Sequence, residues 1–295
     1  MEILFLLPLV VFVNFFPFAW LHGLARFLVF VLNPVLGSLK KRVRENLSFA
    51  YPDLQGKERE RFIRENLAHN LRVFLEVMQM HKFSSSRFVD RHILYEEEDI
   101  KILEVKDRSV IGVEGHYGNW EIAIPFYARH GFRVHFVAKH LSNPYVDRLL
   151  HLVRQKYGGQ IYYMEESQKL VKLAREGAIL GLVADQDAGG EGVFVNYFSR
   201  PASTFKGPAL LALVGQARLF LATFVYLGKG KYRLKTKLLV DRVKREDYGS
   251  VEEAIAKLTD LWVSALEEAV RQNPQQYFWV HRRWKSKPTY EAQKK

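Results

Sequence analysis

The chain has 295 residues, 48% hydrophobic and 14% aromatic, which is enough for a sizeable core and too apolar for a disordered chain. A formal charge of +12 favours anionic partners: anionic lipid, nucleic acid or a phosphorylated substrate. The absence of cysteine excludes disulfides, thiolate metal sites, thiol nucleophiles and iron–sulfur clusters.

From the N-terminus, ILFLLPLVVFVNFFPFAW (3–20) carries no charge and FLVFVLNPVL (27–36) follows it. A bilayer span takes about 20 apolar residues, and Pro8, Asn14 and Pro17 weaken the first run. A secretory signal would show a basic start and a small-residue cleavage site. Here the chain opens Met1-Glu2 and no A-x-A pattern precedes the next apolar run. Residues 1–40 are therefore expected to be a retained hydrophobic membrane-anchoring segment, a helical hairpin buried in the fold being the alternative. Lys40, Lys41, Arg42 and Arg44 follow at once. Basic flanks stay on the cytoplasmic side, where the leaflet is anionic. Residues 41–295 are accordingly expected to form one α/β domain on the cytoplasmic side of the cell inner membrane.

Segment 57–81 has Ile63, Leu67, Leu71, Phe74, Leu75 and Met78 at helical spacing. The pattern then alternates. SVIGVE (109–114) reads as a strand and NWEIAIPFYARHG (119–131) as a helix closed by Gly131. FRVHFVAK (132–139) has period two. The stretch 143–159 reads as a helix with Asn143 as cap and Pro144 at its first position. A strand at 161–164, a helix at 167–177 and a buried-type strand at 178–185 follow. Further strands are expected at 192–198, 218–227 and 231–239, and an amphipathic helix at 251–271. Alternating strands and helices predict a mostly parallel central sheet flanked by helices, with the chemistry beyond the carboxyl ends of the strands.

EGHYGNWE (114–121) occupies such a place. Gly115 and Gly118 permit a tight turn, and Asn119 can cap the helix. Glu121 can orient the His116 imidazole and stabilise its protonated form, which suits a general base activating a hydroxyl. An H-x4-E pair is also common by chance, with the glutamate merely serving a helix N-terminus. No G-x-S-x-G elbow, H-E-x-x-H or phosphate-binding loop is present. GGEG (189–192) leads into a strand rather than a helix and reads as a loop. His135 and His140 straddle a strand end and read as surface residues, so no metal is expected.

The order of several segments resembles the bacterial late acyltransferases of lipid A biosynthesis, a family that includes acyltransferases for mycobacterial mannosylated phosphoinositides. They are RVRENLSFAYPDL (42–54), GHYGNWE (115–121), LSNPYVDRLLHLVRQKYG (141–158), VADQD (183–187) with GVFVNYFSRPASTFKGPALLA (192–212), and YFWVHRRWKSKP (277–288). The resemblance covers nearly the whole chain. It implies a glycerolipid-acyltransferase-like fold and transfer of a fatty acyl chain from an acyl carrier protein thioester to a hydroxyl on an anionic glycolipid acceptor, without a cofactor. His116 would be the general base and Glu121 its partner. Arg154, Asp185, Lys139 and Asn119 are the expected substrate-binding residues. Lys139 stands where the family would lead one to expect arginine. Asp185 could orient a second group or cap a turn.

The resemblance leaves the acceptor open between a lipid A precursor and another phospholipid, mannosylated phosphoinositide or ornithine lipid. A catalytically idle lipid-binding relative is a further alternative. The cluster Arg282, Arg283, Lys285 and Lys287, broken by Trp284, is expected to face the membrane interface. Nucleic-acid binding ranks low because no recognition motif accompanies the charge.

Overall fold

The computed structural model describes residues 2–288, with side chains from residue 8 onward. Met1 and residues 289–295, the outer ends of the two expected segments, lie outside the described residues. The elements run α1 (Glu2–Asn14), α2 (Leu21–Val31), α3 (Gly37–Ala50), α4 (Gly56–Val77), α5 (Ser86–His92), β1 (Ile93–Leu94) and α6 (Glu97–Lys101). The alternating part continues with β2 (Val110–Glu114), α7 (Ala123–Arg129), β3 (Val134–Ala138), α8 (Pro144–Lys156), β4 (Gln160–Tyr163), α9 (Ser167–Arg175) and β5 (Ile179–Val183). It ends with β6 (Val193–Tyr197), β7 (Arg200–Thr204), α10 (Gly207–Val214), β8 (Arg218–Gly228), β9 (Lys231–Val240) and α11 (Val251–Gln272).

The central sheet has the order β1-β9-β8-β2-β5-β3-β4, and only the β8–β9 hairpin is antiparallel within it. The expected α/β architecture with a mostly parallel sheet is what forms. β6 and β7 make a separate antiparallel hairpin. The strand expected at 192–198 therefore leaves the main sheet. The continuous apolar runs of β2 and β5 are buried on both faces. Gly112 and Gly181 make room in these strands, since a Cβ there would lie 2.8 Å from Phe220 and 2.9 Å from Phe136. One core, with α3, most of α4, α9, α10 and α11, fills one face; another, with α1, the start of α2, α5 and α7, fills the other. α8 starts where the sequence predicts: the Asn143 side chain accepts from the amides of Tyr145 at 3.0 Å and Val146 at 3.2 Å, with Pro144 in the first turn.

The N-terminal segment is bent, and among the described residues no single helix is long and apolar enough to cross a membrane. The pieces Pro8–Asn14 and Phe18–Val31 pass that test only as a pair, at 104° to each other. The break falls at Pro17, whose extended backbone interrupts the helix (ψ 140°). Gln79 takes up freed carbonyls there, donating to Val13 O at 2.7 Å and Phe16 O at 2.9 Å. Val13, Phe18, Leu21 and Ala25 are buried with Leu75, Phe83 and Val89 in the second core. The segment is thus stapled to the α/β fold along one side. Its other side exposes Phe15, Trp20, Phe27, Phe30 and Val35, with Phe15 81% and Phe30 76% exposed.

Candidate functional site

β2 and β5 are parallel neighbours in matched register, Glu114 lying opposite Val183. The loops leaving their carboxyl ends therefore start side by side. His116 is two residues beyond one strand and Asp185 two residues beyond the other. Asp185 Oδ1 lies 2.6 Å from His116 Nδ1.

The turn between His116 and Glu121 is fixed from several directions. Gly118 has φ +67°, and a Cβ there would sit 2.0 Å from the Phe224 carbonyl oxygen, so only glycine fits. Gly118 N donates to Gln276 O at 3.1 Å, Asn119 N to Phe224 O at 2.9 Å, and Phe278 N to His116 O at 2.9 Å. The imidazole packs against both Trp120 and Phe278, with ring centroids at 4.7 and 5.6 Å, and those two rings also touch each other at 5.9 Å.

The hydrogen bonds around His116 differ from the expected pairing. Its carboxylate partner is Asp185, which reaches it from β5, whereas Glu121 points to Arg154. Arg154 Nε donates to Glu121 Oε2 at 3.0 Å and Nη2 to Oε1 at 2.6 Å, a bidentate pair. Trp120 Nε1 donates to Glu121 Oε1 at 3.2 Å. The physical reason is local geometry. Residues 120–122 form a 3₁₀ turn rather than the start of an α-helix, and the strand register brings Asp185 onto Nδ1 first. Burial pushes the Glu121 carboxyl up, but Arg154, His116 and the Trp120 N–H outweigh it and hold it below its ordinary value. For Asp185 burial again acts upward, and His116 and Arg283 outweigh it, so that carboxyl also lies low.

A carboxylate on Nδ1 has consequences at the other nitrogen. With Nδ1–H donating to Asp185, Nε2 carries the lone pair. Gln186 Nε2 lies 3.3 Å from it, as its amide donor. His116, Glu121, Arg154 and Gln186 open onto a cavity of about 470 Å³ whose other walls include Ile124, Phe136, Ile161, Leu182 and Leu211. A proton acceptor therefore faces a mostly apolar chamber.

The remaining predicted residues are placed as follows. Lys139 is exposed at the cavity rim, 6.0 Å from the centre of the Phe205 ring. Asn119 is fully buried and cannot touch substrate: its Nδ2 donates to Glu76 Oε2 at 2.6 Å and its Oδ1 accepts from Glu121 N at 3.1 Å. It caps the turn, as its residue type suggests. Asp185 is 2% exposed and holds His116 rather than lining the cavity. The C-terminal basic cluster is split. Arg283 is buried, donating to Ser203 O at 2.5 Å and Thr204 Oγ1 at 2.6 Å, and Trp284 packs against Tyr197 and Phe49. Only Arg282, Lys285 and Lys287 face outward. The strap is therefore two-sided: Arg283 and Trp284 pack into the fold, while Arg282, Lys285 and Lys287 are left on its outer side.

Glu114, which sequence reading passed over, lies at the end of β2 and lines the cavity. Burial, and then the charge of Glu121, push its carboxyl well above the usual range. Gln186 was also passed over, although it stands in the quoted VADQD next to Asp185. Among the described residues no group of three or more histidine or acidic side chains is arranged to hold a metal ion.

The family model for bacterial lipid A biosynthesis acyltransferases matches residues 3–286. A lipid A biosynthesis acyltransferase 2 of Shigella flexneri is 24% identical over 95% of this chain and 91% of its own. The lipid A biosynthesis myristoyltransferase of Escherichia coli K12 is 22% identical over 87% of this chain and 78% of its own. A crystal structure of a 1-acyl-sn-glycerophosphate acyltransferase from Thermotoga maritima aligns over 86% of this chain and 95% of its own at 14% identity, with a TM-score of 0.38, a distant likeness. With a family match that runs from the first apolar helix through the basic C-terminal strap, the chain belongs to the bacterial lipid A biosynthesis acyltransferase family and is an acyltransferase.

Proposed function

We propose that the protein moves a fatty acyl chain from an acyl carrier protein thioester to a hydroxyl of a lipid A precursor, at the cytoplasmic face of the inner membrane. The observation that carries the chemistry is His116, whose Nδ1 is held by Asp185 while Nε2 faces the apolar cavity. The acceptor hydroxyl displaces Gln186 at Nε2 and gives its proton to the imidazole as its oxygen attacks the thioester carbonyl. The imidazolium is stabilised by Asp185 in contact and by Glu121 nearby. The tetrahedral oxyanion collapses, the carbon–sulfur bond breaks, and the imidazolium returns the proton to the departing thiolate. Products are the acylated lipid and the free thiol. Arg154 spends two of its five N–H donors on Glu121, and its positive charge at the cavity wall favours the oxyanion or an acceptor phosphate.

The names of the similar proteins support the lipid A acceptor. The membrane position is supported by the large apolar side chains exposed along the N-terminal segment, among them Phe12, Phe15, Trp20, Phe27 and Phe30. On this reading the segment lies in the interface rather than across the bilayer, given its 104° bend. The test offers purified protein a labelled acyl carrier protein thioester together with a lipid A precursor, a lysophospholipid and an ornithine lipid. Label is expected in the lipid A precursor. Label in either competitor alone would overturn the acceptor assignment, and transfer from acyl coenzyme A but not from the carrier protein would overturn the donor.

A further inference from the structure

The side of the catalytic turn that faces away from the cavity rests on α4, and three ionisable residues are buried there. His69, Arg72 and Glu76 follow one another at three and four residues, on one face of the helix, and each is at most 3% exposed. Burying charged groups in place of apolar ones carries a desolvation cost, so the contacts they make are what needs explaining.

Those contacts form a continuous chain. His69 Nε2 lies 3.0 Å from the Gly118 carbonyl oxygen. A carbonyl only accepts, so Nε2 carries the proton and Nδ1 the lone pair. Arg72 Nη2 donates to that lone pair at 3.0 Å. Burial and the Arg72 charge push the His69 imidazole well below its ordinary range, which matches this neutral tautomer. Arg72 lies over the Tyr226 ring, 3.5 Å from its centre, and its Nε pairs with Glu76 Oε1 at 3.2 Å. Glu76 Oε2 accepts from Asn119 Nδ2 at 2.6 Å and from the Tyr232 hydroxyl. The chain thus grips two of the four residues between His116 and Glu121, and Asn119 in turn caps the Glu121 amide.

We propose that His69, Arg72 and Glu76 are positioning residues for acyl transfer, which hold Gly118 and Asn119 from outside the cavity and thereby set where the His116 imidazole and the Glu121–Arg154 pair stand. The inference rests on the reading of His116 as base. Displacing a turn by a fraction of an ångström to one ångström can lower turnover by about ten- to a hundredfold without changing the residues that react.

The experiment compares wild type, His69→Leu and His69→Gln in the full chain. Glutamine can both donate to Gly118 and accept from Arg72; leucine can do neither. For His69→Leu, kcat is expected to fall about ten- to a hundredfold with the donor KM within twofold, and His69→Gln should recover most of the loss. A second readout does not depend on the substrate: hydrogen exchange of the peptide spanning 115–121. Its protection should fall about tenfold or more in His69→Leu and return in His69→Gln. Faster exchange at 115–121 would support the grip even if the acceptor or donor were misassigned. A folded His69→Leu protein with unchanged exchange at 115–121, or with kcat within twofold of wild type on its true substrates, would overturn the proposal. Should His69→Leu fail to fold, Tyr232→Phe, which removes one donor from Glu76, is read the same way. A few-fold loss of kcat with faster exchange supports the grip, and no change in either overturns it.

Discussion

Asp185 Oδ1 stands 2.6 Å from His116 Nδ1 across 69 residues of chain, and the contact exists because β2 and β5 lie side by side with matched carboxyl ends. A histidine so held presents one tautomer to the cavity. Asp185→Asn keeps the shape, but its amide group can donate to Nδ1 and favour the wrong tautomer. Turnover is expected to fall by about 10² to 10⁴, with the donor KM little changed. Steady-state kinetics of the folded variant checks this, and a loss confined to KM would speak for a substrate-binding role instead.

The Glu121–Arg154 pair is mostly buried, with 8% and 21% of the two side chains exposed. Removing Arg154 strands a buried carboxylate. Arg154→Leu is expected to cost about 2–4 kcal/mol, somewhat below the range for a fully buried pair because the guanidinium keeps some solvent. Adding Glu121→Gln should return part of that stability. Urea unfolding of the two singles and the double gives the coupling. Additive losses would mean the two residues do not act as a pair.

Two opposed pH dependences follow from the three carboxyls of the site. Glu121 and Asp185 have folded values lowered from the ordinary carboxylate range. Their stabilising contribution is complete above the unfolded values, near 4, and is lost as pH falls through the folded ones. Glu114 is raised instead, so its contribution is present below the unfolded value and is lost as pH rises toward the folded one. Glu114→Gln imitates the protonated acid. Its stability relative to wild type should therefore improve progressively from about pH 4 upward. Thermal unfolding of both proteins across that range tests the sign, and a difference independent of pH would show that Glu114 is ionised in the fold.

Membrane attachment calls for point substitutions rather than truncation, because deleting residues 1–36 would also remove Val13, Phe18, Leu21 and Ala25 from the core. Replacing Phe15, Phe27 and Phe30 with serine takes away mainly exposed apolar surface. Vesicle binding is expected to fall on the order of tenfold or more, with the melting temperature little altered. Arg282→Gln with Lys285→Gln should weaken binding to anionic vesicles by about 1 kcal/mol per charge, more at low salt than at high. Arg283→Gln should instead destabilise the fold, since the residue holds the β7 backbone. Flotation assays and melting curves separate these effects. Undiminished vesicle binding by the triple serine variant would remove this face from the membrane contact.

Most of the sheet was legible because its strands are continuous apolar runs separated by amphipathic helices, and the Gly118 turn was legible because glycine, asparagine and a following apolar run occur together. The partner of His116 was not. Glu121 is local and visible as H-x4-E, whereas Asp185 becomes a neighbour only once the order β2-β5-β3 is known, and no local pattern encodes a strand that inserts between two earlier ones. The bend at Pro17 was visible as a weakness in an apolar run, but not that Gln79 would satisfy its carbonyls. The C-terminal cluster misled for a related reason: Arg283 and Trp284 have surface-like composition and find their partners some 80 residues away, in the β6–β7 hairpin.

The most direct test of His116 as the base is steady-state transfer of a labelled acyl chain from acyl carrier protein to a lipid A precursor by the His116→Ala enzyme, at saturating donor and with circular dichroism confirming the fold. Turnover is expected to fall by about 10² to 10⁴ while donor binding is retained. A folded His116→Ala enzyme working at near the wild-type rate would contradict the assignment of His116 as base and reduce its contact with Asp185 to a structural one.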